Sequence, residues 1–200
     1  MTAHAAAAPH QAASEGAIGV HTQKLGMWVF LVSEVMFFTA LIGSYIILRW
    51  GTNAPWPEPR TVLAIPTTAL NTFILICSSV SMVKAYAAAT RDDQPGLKKW
   101  LLLTVLGGGT FVSVQVREYI KLVHDGFLPS SGLFGATFYT MTGFHGFHVT
   151  CGVLSMIWVT IRAFRGKYAG GKYQGIETIG LYWHFVDLVW IILFTIVYLI

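Results

Sequence analysis

Hydrophobic and polar positions divide the chain into five long apolar stretches separated by short breaks. The stretches lie near residues 24–50, 63–89, 98–123, 132–164 and 177–199. Each exceeds the roughly 20 helical residues needed to cross a hydrocarbon core of about 30 Å. The breaks contain Gly, Pro and Asp, which commonly end helices. The pattern predicts an all-α fold, a single polytopic bundle of five transmembrane helices within residues 22–200.

The composition agrees with a membrane protein. Of the 200 residues, 54% are hydrophobic and 11% are charged, whereas soluble domains carry about 25% charged residues. The basic residues form no block of five or more, so we expect no nucleic-acid-binding surface. Cys77 and Cys151 stand singly within apolar stretches. This placement favours small buried hydrophobic residues over a disulfide or a zinc site.

Residues 1–21 differ from the rest of the chain. They are rich in Ala, include His4, His10 and His21, and lack the basic start and apolar core of a signal peptide. We expect a retained, disordered tail. Metal capture by its histidines is an open alternative.

The distribution of basic residues predicts an orientation. When the spans alternate in direction, nine of the 13 Lys and Arg residues fall on the side of the N-terminus and four on the other. Membrane proteins keep their basic loops inside. The N-terminus is therefore predicted inside and the C-terminus outside.

Ionisable side chains lie within three of the spans. They are Glu34, His145, His148, His184 and Asp187. An isolated charge at mid-span costs about 2.5 to 3.5 kcal/mol on the translocon scale, so each side chain needs a partner or water. Each histidine pair or His/Asp pair is spaced three residues apart and shares a helix face, and the helical rise puts all five at similar depth. We expect one buried polar cluster, with a structural or proton-linked role.

Other interpretations of this cluster stay open at this point. The side chains could each form a simple helix–helix hydrogen bond, they could form a proton or solute relay, or His148 and His184 could ligate one haem. Paired broken helices and inverted repeats, which are typical of transporters, are not evident. A second polar patch near the outer end of the third span comprises Gln115, Glu118 and Tyr119. A solvated helix end is the alternative for that patch.

Five motifs across these spans resemble subunit III of the haem-copper terminal oxidases, and they occur in that family's order. They are the segments 25–38, 70–72, 115–119, 142–149 and 182–190. Glu34 matches the family's buried glutamate in a Ser-Glu motif. The three span histidines and Asp187 match its other intramembrane polar positions. The likeness covers most of residues 24–199.

The resemblance implies an accessory subunit of an oxygen reductase complex that has no catalytic centre, haem, copper or other metal of its own. Haem and copper would lie in partner subunits, and the partners would be the catalytic subunit I, subunit II and phospholipid. The implied location is the bacterial cytoplasmic (inner) membrane, with a role in aerobic respiration. A place in a respiratory supercomplex is compatible with this role. Family members are thought to support assembly, lipid binding, oxygen access and proton uptake.

Two details refine what the resemblance implies. The glutamate in Ser33-Glu34 favours cytochrome c oxidase over quinol oxidase, which is the alternative. Seven-span members form a lipid cleft between their first two helices and the other five, and this chain matches only those five. A neighbouring subunit would then supply the missing wall of the cleft.

Overall fold

The computed structural model describes residues 22–53, 56–170 and 173–200, and the regular elements within them are helices. The long helices are α1 (Thr22–Gly51), α3 (Ile65–Thr90), α4 (Gln94–His124), α5 (Leu133–Phe164) and α6 (Gln174–Phe194), with a short α2 (Pro59–Val62) after α1. A π-helical turn, Thr195–Leu199, continues α6. The predictions for residues 1–21 lie outside the described residues.

The five long helices are long and apolar enough to cross a membrane, which confirms the five-span prediction. With the π-helical turn counted as part of the fifth span, the ends of the five spans differ from the predicted stretches by no more than four residues. The break before α4 shows how the sequence ends and restarts a helix. Asp93 accepts a hydrogen bond from the amide of Gly96 over 3.0 Å, and Pro95 lies in the first turn, where its missing N–H costs nothing.

Helix α6 occupies the centre of the bundle. It contacts α1, α3 and α5, while α4 packs between α3 and α5. We call the level where α1, α4 and α6 begin the Lys24 end, and the opposite level the Arg49 end. Nζ of Lys24 lies 2.6 Å from Oε1 of Glu177 at the first, and Arg49 donates to the hydroxyl of Tyr45 and the carbonyl of Ile200 at the second.

Two tryptophans of α6 lock the centre of the bundle. Trp183 and Trp190 are fully buried. The indole N–H of Trp183 donates to Ser78 over 3.2 Å, and that of Trp190 donates to Thr72 over 2.9 Å. Both partners lie on α3. Each tryptophan therefore packs its apolar ring in the core and also gives its indole N–H an acceptor, which the lipid would not supply.

Helix α1 is attached to the bundle on one side only. It contacts α5 and α6, and its opposite face is exposed along the whole helix. Met36, Ile47 and Val29 keep 72%, 70% and 66% of their surface exposed. This apolar face requires a lipid or protein neighbour, because it is too large for an exposed surface in water.

The two cysteines are free, and their positions correct one prediction. Cys77 is exposed on α3 and Cys151 is half-buried on α5, whereas the apolar pattern favoured burial of both. In a membrane protein, a residue that faces lipid has the same apolar neighbours in the sequence as a residue packed inside the bundle. The sequence around a cysteine therefore does not show which of these two positions it occupies.

Candidate functional site in the membrane-spanning bundle

Glu34 on α1 and His148 on α5 form a pair at the interface between these two helices. Oε2 of Glu34 lies 3.0 Å from Nε2 of His148, and the two side chains are 17% and 13% exposed. The aromatic ring of Phe38 packs edge-on against the imidazole with a centroid distance of 5.2 Å. The pair is therefore largely shielded from the surface, and it is one of the contacts that attach α1.

The hydrogen bonds of His148 determine how many protons this pair holds. Nδ1 of His148 lies 2.7 Å from the carbonyl oxygen of Phe144, which can only accept, so Nδ1 carries a proton. The second hydrogen bond, to Glu34, then needs one further proton, on Nε2 or on the carboxyl group. Either position gives a pair with no net charge. This neutrality avoids the cost of an isolated charge within the membrane.

His184 and Asp187 on α6 lie against Ser79 of α3, a residue that the sequence pattern does not single out. Oγ of Ser79 lies 2.6 Å from Nδ1 of His184 and also interacts with the carboxyl group of Asp187. Ser79 and Asp187 are each 8% exposed, and Oδ1 of Asp187 has no hydrogen-bond partner in the described part of the chain. A single hydroxyl thus forms a hydrogen bond with the imidazole across the α3–α6 interface and lies near the carboxyl group of Asp187.

His145 lies apart from both groups. It is 1% exposed and its ring stacks on the indole of Trp190, with a centroid distance of 4.9 Å and an interplanar angle of 24°. Phe111 and Phe38 approach the ring from other sides. Neither ring nitrogen makes a hydrogen bond to a described residue. The side chain is a buried aromatic packing element with two unsatisfied polar atoms.

The five predicted side chains therefore form two paired groups and a lone histidine, in place of the single cluster expected from spacing and depth. The reason lies in helix geometry. Residues three apart on a helix differ by about 60° in direction, because each residue turns by about 100°. On α5 this difference points His148 toward α1 and His145 toward Trp190 of α6. Sharing a face was too coarse a criterion for sharing a contact.

The second predicted patch is buried more deeply than a solvated helix end. Thr68 donates to the carboxylate of Glu118, 3.0 Å from each oxygen, and Gln115 is 6% exposed. The hydroxyl of Thr142 donates to its own helix, so the hydroxyl of Tyr119 donates to Thr142 over 2.5 Å. The three predicted residues thus face α3 and α5. Two basic neighbours on α4, Arg117 and Lys121, are exposed on other faces of the helix.

The contacts of the histidines also bear on haem or metal ligation. Both ring nitrogens of His148 are engaged, with Glu34 and with the carbonyl of Phe144, and Nδ1 of His184 is engaged with Ser79. Within the described ranges, no group of three or more His, Cys, Asp or Glu side chains is arranged to hold a metal ion. The arrangement suits hydrogen bonding between helices and the storage of a proton.

Comparisons with known proteins identify the family. The family model described as "Cytochrome c oxidase subunit III" matches residues 10–200. The chain belongs to the cytochrome c oxidase subunit III family. Cytochrome c oxidase subunit 3 of Thermostichus vulcanus is 40% identical over 176 residues, which cover 88% of this chain and 86% of the relative.

Two further relatives support the same family assignment. The probable cytochrome c oxidase subunit 3 of Nocardia farcinica is 39% identical over 178 residues, 87% of this chain and 86% of the relative. Cytochrome c oxidase subunit 3 of Synechocystis sp. is 41% identical over 175 residues, 87% of this chain and 74% of the relative. The resemblance found in the five motifs is thus confirmed at the level of the whole transmembrane bundle.

A pair of substitutions at Glu34 tests the proton count of the first group. Glu34→Gln should be tolerated, because the amide can donate to Nε2 of a neutral His148. Glu34→Leu should cost about 1–3 kcal/mol of unfolding free energy, because it leaves a buried Nε2 without a partner. Unfolding in SDS titrations of mixed micelles measures both, with the lipid-facing Met36→Leu as control. Equal losses for Gln and Leu would contradict the pairing.

Proposed function

We propose that this chain is the accessory, non-catalytic subunit III of a cytochrome c oxidase, in complex with a catalytic subunit that holds haem and copper and with subunit II. The observation that carries the proposal is the match to relatives named cytochrome c oxidase subunit 3 across all five spans. The intramembrane polar groups support it. In the described residues they pair across helix interfaces and serve to hold the bundle together.

The partner and lipid surfaces follow from the one-sided attachment of α1. Its exposed face is continuous with an apolar groove of about 180 Å³ between α1 and α5, lined in part by Leu41, Leu48, Ala136 and Met141. A groove of this form suits an acyl chain. Trp50 at the Arg49 end is 62% exposed, as expected for a residue at the lipid headgroup level. Phospholipid in this groove would then join the chain to its neighbour in the complex.

The proposed orientation places the Lys24 end inside a bacterial cytoplasmic membrane. Among the described side chains, eight basic residues belong to the Lys24 end and three to the Arg49 end. The eight are Lys24, Lys84, Arg91, Lys98, Lys99, Arg162, Arg165 and Lys167, and the three are Arg49, Arg117 and Lys121. Basic side chains also lie over tryptophan rings at both levels, at 4.4 Å for Lys84 on Trp100 and 5.2 Å for Arg49 on Trp50. This bias follows the positive-inside rule.

A role in sustaining proton uptake is proposed for the Glu34–His148 pair. The pair holds one proton that can lie on either partner, and it sits between helices near mid-span. Movement of this proton within the pair needs no change in net charge, so it is inexpensive in the membrane. The pair would act on the reaction only through the catalytic partner.

Isolation of the complex tests the proposed function directly. Affinity purification of the full chain from mildly solubilised membranes should bring with it a large multi-span protein with a haem absorption spectrum and a second protein with a copper site. Recovery of the chain as a free monomer, with no haem-copper protein alongside, would refute the proposal. Proton flux in liposomes that contain only this chain, abolished by Glu34→Gln, would instead support an independent transporter.

The lipid groove gives a separate prediction. Ala136→Trp should fill the groove between α1 and α5 and lower the amount of phospholipid retained by the purified complex by at least one lipid per chain. Ala69→Trp on α3 is a matched control, because Ala69 is exposed and lies outside the groove. Quantitative lipid mass spectrometry of both variants provides the measurement. Equal lipid retention in the two variants would show that the groove is not a lipid site.

A further inference from the structure

Two lysines at the Lys24 end are held over one tryptophan ring. Nζ of Lys84, on α3, lies 4.4 Å from the centroid of the Trp100 ring, and Nζ of Lys99, on α4, lies 5.6 Å from it. We call these three residues the Trp100 clamp. An ammonium group is attracted by the negative face of an indole. The clamp therefore fixes two positive charges close together, one from each of two neighbouring helices.

These charges have no acidic partner in the described ranges. Neither lysine of the clamp makes an ion pair there, and both side chains are exposed. The acidic side chains described at this end are engaged elsewhere. Glu177 pairs with Lys24 over 2.6 Å, Asp93 accepts from an amide in the first turn of α4, and Asp92 accepts from the side chain of Gln94. The positive charge of the clamp is thus free to bind an anion.

Two further cations extend the positive surface from the clamp toward α5. Nζ of Lys98 lies 5.7 Å from the centroid of the Phe164 ring. Cζ of Arg162 lies 4.6 Å from that of the Trp158 ring. These cations raise the local concentration of anions over a Debye length of about 8 Å at physiological ionic strength. The clamp differs from them because it places two ammonium groups on the same ring.

Exposed apolar side chains lie next to the clamp, toward the centre of the bundle. On α3, Val80 lies one turn from Lys84 and is 52% exposed. On α4, Leu103 lies one turn from Lys99 and is 46% exposed. Trp100 is half-buried between these levels, as expected for a tryptophan at the membrane interface. A ligand here meets positive charge at one end and apolar surface at the other, and a free anion matches only the first.

We propose that the Trp100 clamp binds the phosphate group of an anionic phospholipid, with an acyl chain along Val80 and Leu103. Phosphate oxygens accept hydrogen bonds, and each ammonium group has three donors. A basic side chain beside the membrane changes the affinity for anionic lipid by about fivefold. The site is separate from the groove between α1 and α5. It also does not depend on which oxidase subunits accompany the chain.

Native mass spectrometry of the delipidated full chain, with any partners that purify with it, counts the lipids bound from micelles that contain dioleoylphosphatidylglycerol. The double variant Lys84→Gln/Lys99→Gln should weaken one binding event by roughly 20- to 30-fold. It should therefore bind one phosphatidylglycerol fewer per chain at a lipid concentration that just saturates the unsubstituted chain. Binding of dioleoylphosphatidylcholine should not change, and inorganic phosphate should not displace the lipid. An unchanged phosphatidylglycerol count, or displacement by phosphate, would overturn the proposal.

A second double variant, Arg165→Gln/Lys167→Gln, is the matched control. It removes the same charge from the same end, and both side chains are exposed and make no ring contact in the described residues. The phosphatidylglycerol count should stay at the value of the unsubstituted chain. An equal loss in the two double variants would show a general attraction to positive charge and no site at the clamp.

Trp100→Leu separates a built site from two independent lysines, because it keeps both charges. We expect it to lose the same single phosphatidylglycerol, with unchanged phosphatidylcholine binding as evidence that the bundle is intact. A full phosphatidylglycerol count would contradict the role of the ring. Electron microscopy of the complex purified with its own lipids should show phosphate density between Lys84 and Lys99. A carboxylate of a partner protein in that place, or no density there, would overturn the proposal.

Discussion

Gly108→Ala should destabilise the bundle by about 1–3 kcal/mol, the usual cost of overpacking a filled core. A methyl group at Gly108 would lie 2.7 Å from Cη2 of Trp183 and 2.9 Å from Cγ2 of Val153. The indole cannot retreat, because Gly152 of α5 lies so close to its other edge that a methyl group there would be 3.0 Å from the ring. The indole N–H is also held by Ser78. The substitution must therefore separate α4 from α6.

The adjacent glycine is a matched control for this prediction. A methyl group at Gly109 meets no atom within 4 Å, so Gly109→Ala should change the unfolding free energy by less than about 0.5 kcal/mol. SDS titration of both variants in mixed micelles measures the difference. Similar losses at the two positions would show that helix flexibility in the Gly107-Gly-Gly109 run matters, and not the contact with Trp183.

Ser79→Ala should cost about 2–4 kcal/mol of unfolding free energy, which is large for the loss of one oxygen atom. The hydroxyl forms a hydrogen bond with Nδ1 of His184 over 2.6 Å and interacts with the carboxyl group of Asp187. Its removal takes this partner from the half-buried imidazole and the buried carboxyl group, and each unsatisfied group costs about 1–3 kcal/mol. Alanine is nearly the same size as serine, so packing changes little. The measurement is again the unfolding free energy in mixed micelles.

Ser81→Ala is the control for this substitution. Ser81 is 5% exposed on the same helix, but its hydroxyl bonds the carbonyl of Cys77 on its own helix, over 3.0 Å. We expect a loss below about 1 kcal/mol at this position. A further check is His184→Leu, whose effect should be smaller in the Ser79→Ala background than in the unsubstituted chain. Additive effects would show that the serine and the histidine are not coupled.

The five helices were predictable from the sequence because membrane crossing depends on local properties, namely apolar length and the position of Gly, Pro and Asp. The ionisable residues of the candidate site were predictable for the same reason. A carboxylate such as Glu34 or Asp187 in an apolar stretch is conspicuous, because placing its charge in the membrane costs free energy. Their partners were not. A hydroxyl such as Ser79 looks the same in the sequence as Ser81, and only the rotation of α3 against α6 decides which one bonds across the interface.

The exposure of apolar positions was the other feature that the sequence left open. In water a hydrophobic stripe marks the buried face of a helix, but in lipid both faces are apolar. Cys77 and Met36 therefore carry no signal that separates a lipid-facing position from a packed one. Small residues carry part of this signal, since Gly108 lies at a close helix contact. Its neighbour Gly109 makes no such contact, so the presence of glycines does not tell which of them faces another helix.

The one-sided attachment of α1 has a consequence for biogenesis. Its contacts are with α5 and α6, which leave the ribosome after α3 and α4. Helices α3 and α4 are consecutive and pack closely, so they can associate soon after synthesis. Helix α1 is therefore in the bilayer before its partners are made. Glu34 is unpaired until His148 of α5 has been inserted, and Lys24 is unpaired until Glu177 of α6 has been inserted. Helix α1 is thus inserted before α3 and α4 but packs into the bundle after them, and in that interval its face toward α5 and α6 is open to the lipid.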